Sequence, residues 1–281
     1  MPVVRSLWDL QGFDSYAEAL KTKRMGLLSR IDIDKMNIDI DEIREKARKF
    51  FYKGVDGKDV ANRGDVKDRL VKDISKRSGL SYDTCNSLVK QWSFTSNDDS
   101  ITSLRIQEAA ARFKGTKLSG WQKEKLNRIK NNLSLFNMRD QRLSAKVTDE
   151  MLDKFIKGMY DNTQDFLEKK GMDWVPLYRG FSIKDADGTF ANLLEGAYSK
   201  SKAIDLDLNV INSFTTRGQT AKNFGIPGYH ETGTVIEVFV RKEDILGTAL
   251  TGFGCYDEYE FVVFGSSYDK GLVYYILKGY D

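Results

Sequence analysis

Apolar positions recur at helical spacing through the first 170 residues and at strand spacing after that. No proline interrupts the stretch from Asp39 to Gln164, and period-3.6 patterns repeat along it. They predict helices over about 14–29, 40–53, 65–78, 82–93 and 101–113, with breaks at 54–57 and 96–100. Ser119-Gly120-Trp121-Gln122 reads as a capping box ahead of a helix running to about Asn132. Thr148 is an N-cap candidate for a longer helix. That helix carries Leu152, Phe155, Ile156, Met159, Tyr160, Phe166 and Leu167 on one face, and Lys169-Lys170-Gly171 ends it. Beyond Gly171, short β-rich runs alternate with glycine and polar loops, at 175–181, 210–215, 234–240, 247–251, 259–264 and 273–277. Helices first and strands afterwards is the α+β pattern.

Composition narrows the chemistry. A hydrophobic fraction of 41% over 281 residues supplies a sizeable core for one or two domains. No apolar run approaches the roughly 20 residues that cross a bilayer, so no membrane is expected. Residues 1–14 lack a basic region followed by an apolar stretch, which predicts no secretory leader and a cytoplasmic location. Cys85 and Cys255 are expected as free thiols. The single histidine, His230, argues against a histidine-built metal site and against a Ser-His-Asp triad. Catalysis must then rest on carboxylates, arginine, hydroxyls or a cofactor. Residues 1–150 hold 30 Lys+Arg against 22 Asp+Glu, and the remainder is net acidic. A basic front half can touch nucleic acid or an acidic partner, although its charges are interleaved as on a solvated helix.

Three polar features stand in or beside the strand-like runs. Arg179-Gly180 can present a guanidinium fork while bare backbone approaches a ligand. In Ser213-Phe214-Thr215-Thr216, alternation puts Ser213 and Thr215 on one face and Phe214 toward the core. In Glu258-Tyr259-Glu260 the two carboxylates share a face if the strand begins at Glu258, and Phe261 to Phe264 then anchor them. A glutamate beside a sugar can stabilise an oxocarbenium-like transition state. Alone, each has a plain reading: a strand-end arginine in solvent, a strand with a wet face, an acidic strand edge.

In order and at these spacings, the three resemble the motif set of the Arg–Ser–Glu mono-ADP-ribosyltransferases of bacterial toxins and phages. The run Tyr160 to Leu167 resembles the helix leading into the first strand of that family. Ser213 to Phe224 resembles its Ser-Phe-Ser/Thr run with a trailing Ala-x-x-Phe. The resemblance covers about residues 100–281. It implies a helical N-terminal region over 1–98 and a catalytic domain over 99–281, built of two packed, mainly antiparallel sheets flanked by helices. It also implies NAD+ as substrate, no metal, and transfer of ADP-ribose to a protein arginine.

By the same resemblance, Arg179 binds the NAD+ phosphates and Gly180 offers backbone hydrogen bonds to nicotinamide. Ser213 orients Glu260, Thr215 supports that network, and Phe224 stacks on nicotinamide. The 225–233 loop follows as the phosphate–nicotinamide loop. Glu260 holds the ribose 2′-hydroxyl as the catalytic carboxylate, and Glu258 serves the acceptor. Phe253 and Tyr256 lie on the acceptor-facing turn. The middle motif departs from the Ser-Thr-Ser of many toxin members, but its hydroxyls keep their alternation. Two alternatives remain at this point: ADP-ribosylation of nucleic acid through the basic front half, and a phage head-associated protein in which the fold serves assembly or is carried in the virion into a host.

Overall fold

The computed structural model describes residues 4–6, 45–46, 63–94, 100–118, 120–131, 138–199, 203–205, 208–265 and 270–278. Apart from the two helical residues 45–46, the helices expected near 14–29 and 40–53 lie outside these residues. So do the 54–57 break and Ser119 of the capping box.

The described chain is α+β. Helices α1 (Arg63–Ser78), α2 (Tyr82–Phe94), α3 (Ile101–Lys114), α4 (Gly120–Asn131), α5 (Met138–Lys146) and α6 (Asp149–Lys169) precede most of the sheet. The strands are β1 (Val4–Ser6), β2 (Trp174–Lys184), β3 (Ala203–Asp205), β4 (Ile211–Thr215), β5 (Glu231–Arg241), β6 (Ile245–Thr248), β7 (Glu260–Phe264) and β8 (Lys270–Lys278). Helix α7 (Thr189–Ser199) follows β2 and α8 (Gly218–Phe224) follows β4. Among the described residues, no helix is long and apolar enough to cross a membrane.

Strand order is β1-β8-β5-β2-β4-β7-β6, with β3 also on β8, and every described pairing is antiparallel. The path has a weak joint. β2 pairs with β5 along its whole length, whereas β2 and β4 meet in register only at Tyr178 and Thr215. Two antiparallel halves therefore diverge from one point, and a cleft opens where they part.

Helix α6 forms where the pattern predicts it. The Thr148 hydroxyl accepts from the Met151 N–H, and Leu152, Phe155, Ile156, Met159, Phe166 and Leu167 are buried. Its polar residues tie it to the sheet. Asn162 donates to the Thr251 carbonyl, Thr163 to that of Leu246, and Gln164 to those of Lys242 and Ile245. The run expected as a strand over 247–251 divides instead. Residues 245–248 pair with β7, and 249–251 turn away. The Thr251 hydroxyl accepts from the Thr248 N–H, and the Thr248 hydroxyl accepts from the Leu250 N–H. Threonine hydroxyls competing for local backbone donors are turn formers.

The helices on both sides of position 98 share one core. Val71, Ile74, Leu88 and Trp92 belong to the same buried cluster as Phe155, Leu177, Phe253 and Val262. Helix α1 packs on α6, which in turn lies against β6. Ser100 caps α3 by accepting from Ser103, and the Asp140 carboxylate of α5 receives the Ile101 and Thr102 N–H groups.

Candidate active site

The cleft at the joint has a volume of about 540 Å³, within the range of small-molecule sites. Arg179, Ser213 and Glu260 line it together with Trp92, Phe224 and Glu258. Residues far apart in sequence are thus gathered by the divergence of β2 from β4.

Glu260 opens β7, and Phe261, Val262, Val263 and Phe264 behind it are all buried. Each such side chain contributes about 1.5–3 kcal/mol on burial, which offsets the several kcal/mol that a carboxylate costs in a poorly solvated place. Glu260 is only 5% exposed. Three donors hold it: the Ser213 hydroxyl and the Trp92 indole N–H (3.4 Å) at Oε1, and the Cys255 N–H (2.6 Å) at Oε2. Burial pushes its carboxyl above the usual range, while Ser213, Cys255, Trp92 and the Arg179 charge pull the other way.

Arg179 lies two residues beyond Leu177 on the same face of β2. Its guanidinium donates to the Ser213 carbonyl at 2.6 Å and stands 5.7 Å from the Phe214 ring centroid. Burial lowers its pKa, with Glu260 opposing that shift. Ser213 therefore engages both partners, its carbonyl taking Arg179 and its hydroxyl giving to Glu260. Phe214 is buried in the core, as alternation requires.

Other sequence-derived expectations are corrected. The strand begins at Glu260, one residue after the expected 259, so the condition for Glu258 and Glu260 to share a strand face is not met. Residues Tyr256–Glu258 form a 3₁₀ turn, and Tyr259 takes a left-handed conformation with φ 54°. That conformation is costly for a tyrosine, and the Arg217 guanidinium, 3.5 Å from its ring centroid, helps hold it. Period-2 alternation thus fails between the glutamates, yet the turn still brings Glu258 to the cleft. Its carboxyl is raised by burial, then by Glu260 and Asp257.

Thr215 stands opposite Glu260 in register, but its hydroxyl accepts from the Arg217 N–H at 3.1 Å. It shapes the bend after β4 rather than bonding the carboxylate. Gly180 lines the cleft, as a backbone role there requires, and its missing side chain also makes room for α8, because a Cβ there would sit 1.7 Å from the Ala221 carbonyl oxygen. Phe253 is 0% exposed and stacks on Trp92, so it faces the core and not an acceptor. Tyr256 is half-buried against the same core.

Phe224, at the end of α8, is 57% exposed on the cleft rim. The loop after it is closed at its base by Gly225 and Gly233, since a Cβ on Gly233 would meet the Gly225 carbonyl at 1.8 Å. Within the loop, Tyr229 is 71% exposed, and the Glu231 carboxylate receives the Gly228 N–H and the Ser182 hydroxyl.

Sequence reasoning missed Trp92 and the Cys255 N–H. Trp92 reads as one more apolar position of α2, in step with Cys85, Leu88 and Val89. A backbone donor at Cys255 leaves no trace in residue type. Among the described residues, no group of three or more His, Cys, Asp and Glu is placed to hold a metal ion, and Cys85 and Cys255 are free thiols. No family model matches the chain, and no curated protein or solved structure matches it at a significant level.

Proposed function

We propose that the chain is an NAD+-dependent mono-ADP-ribosyltransferase, with the fold of that class, that transfers ADP-ribose to a protein arginine and releases nicotinamide. The observation that carries this reading is the contact chain Arg179–Ser213–Glu260. Residues 34 and 47 positions apart are bonded in series on one cleft, in the order that the motif resemblance requires.

The chemistry suits these groups. Nicotinamide leaves as a neutral molecule from a cationic precursor, so departure needs no general acid. Arg179 binds a phosphate of NAD+ with the part of its fork turned from Ser213. Glu260 accepts a hydrogen bond from the ribose 2′-hydroxyl, and its negative charge stabilises the sugar cation as the C1′–N bond breaks and its electron pair leaves with nicotinamide. Phe224 covers the nicotinamide from the rim. The acceptor guanidine nitrogen then attacks C1′ and gives up a proton to Glu258, which lines the cleft with Glu260 and whose carboxyl burial raises above the usual range.

The test is to incubate the purified chain with NAD+ labelled in its adenylate half and a cell lysate. The expected result is label on protein, removable by agents that cleave ADP-ribosyl-arginine, with matching nicotinamide release. Label on nucleic acid alone would replace the acceptor class. Intact NAD+ throughout would refute the proposal.

A further inference from the structure

We propose that Trp92 is a positioning residue for Glu260, its indole N–H fixing Oε1 of the carboxylate from the helical region that precedes the sheet. The proposal rests on the transferase reading above, because it concerns the carboxylate assigned there to the ribose.

Packing alone does not call for a tryptophan at this place. Cys85, Leu88, Val89 and Trp92 recur along one buried face of α2, where any large apolar side chain would serve. The indole adds a single feature, an N–H that only donates and that must find an acceptor when buried. Trp92 is 1% exposed, and the acceptor it meets is Glu260 Oε1. The ring is not free to turn away. It stacks on Phe253 with centroids 4.8 Å apart and planes inclined by 18°. Phe253 is backed by Phe155 of α6, and its own N–H lies 3.2 Å from Met159 Sδ.

Three donors from three segments therefore converge on one carboxylate: α2, β4 and the turn before β7. The charged and titratable groups facing it are Arg179 from β2 and Glu258 and the Cys255 thiol from that turn. Ser213 and Cys255 grip the two oxygens from the sheet side, and Trp92 is the donor from the helical layer. Without it, Oε1 has a single anchor and the ionised form loses one of the bonds that favour it over the protonated form.

The test uses the full chain with Trp92→Phe, and a second version in which Trp92 is replaced by benzothienylalanine, which keeps the indole shape but has sulfur in place of N–H. Three quantities are read: kcat and KM for NAD+ hydrolysis, the acid limb of the kcat–pH profile, and the titration midpoint of the Glu260 carboxyl by carbon-13 NMR, assigned with Glu260→Gln. The expected result in both versions is a kcat lower by about tenfold, a KM within about twofold, and an acid limb and NMR midpoint shifted upward together by about one unit. An unmoved midpoint and acid limb would overturn the proposal even if kcat or stability fell, since those follow from lost packing. Should Trp92→Phe fail to fold, the benzothienyl chain decides. A wild-type chain that leaves NAD+ intact would sink the transferase reading, and the NMR midpoint would still support or overturn the Trp92 contact by itself.

Discussion

The floor of the cleft and its rim are built differently. Arg179, Ser213 and Glu260 sit on strands, are bonded in series through Ser213 and are backed by buried side chains. Phe224 and Glu258 sit at the end of a one-to-two-turn helix and in a 3₁₀ turn, and the loop after Phe224 carries exposed Ile226 and Tyr229. Strand geometry is over-determined and can hold a group to within a fraction of an ångström, as stabilising a developing charge requires. Short elements with few constraints can admit partners of varied shape. In the proposed transferase reaction the floor would serve the bond-breaking step common to all acceptors, and the rim would select the acceptor and cover the nicotinamide.

Substitutions can break or sharpen that contrast. Gly180→Ala places a methyl group against the Ala221 carbonyl and must push α8 off β2. We expect a loss of about 3 kcal/mol in stability, read from denaturant unfolding, and a tolerated alanine would show the floor to be less rigid than described. Arg179→Lys keeps a charge but loses the planar fork. It should lower kcat/KM for NAD+ hydrolysis by about a hundredfold, or about 2.7 kcal/mol, with the fold unchanged by circular dichroism. Glu258→Gln should reduce transfer to arginine by about tenfold or more while hydrolysis stays within a few-fold of wild type. Equal losses in both would erase the division between floor and rim. Phe224→Ala should raise KM for NAD+ by about threefold and leave kcat nearly unchanged, as for loss of a half-exposed stacking contact.

The pH profile tests the floor separately. The proposed reaction would use ionised Glu260, and burial raises its carboxyl above the usual range. Activity should therefore fall as pH drops through a value above the ~4.3 of a free glutamate. An acid limb at or below that value would mean that the donors outweigh burial.

Much of the sheet and of the long helix was legible because each has a local cause. Thr148 caps α6, and two-residue alternation puts Phe214 in the core and Ser213 at the cleft. Where a local rule was overridden, reading by pattern failed. Tyr259 in a left-handed conformation breaks the alternation between Glu258 and Glu260, and the Arg217 contact, from another segment, gives a reason for it. Helices α5, α7 and α8 went unread because each is short. Helix α7 depends on the Asp185 carboxylate, which receives the Phe190 and Ala191 N–H groups from outside the helix. Gly180 was legible as a close approach, but not that its neighbour is a helix of the same chain. Trp92 was illegible as a site residue, since its role depends on a contact across 168 positions.

The central claim is that Glu260 stabilises the sugar cation, and nicotinamide release measured side by side for the wild-type chain and Glu260→Gln at neutral pH tests it most directly. Glutamine keeps the size and an acceptor oxygen for Ser213 but removes the charge. The account predicts nicotinamide release by the wild type and a fall of about a thousandfold in the variant, with an unchanged fold. Equal rates in the two proteins would contradict it.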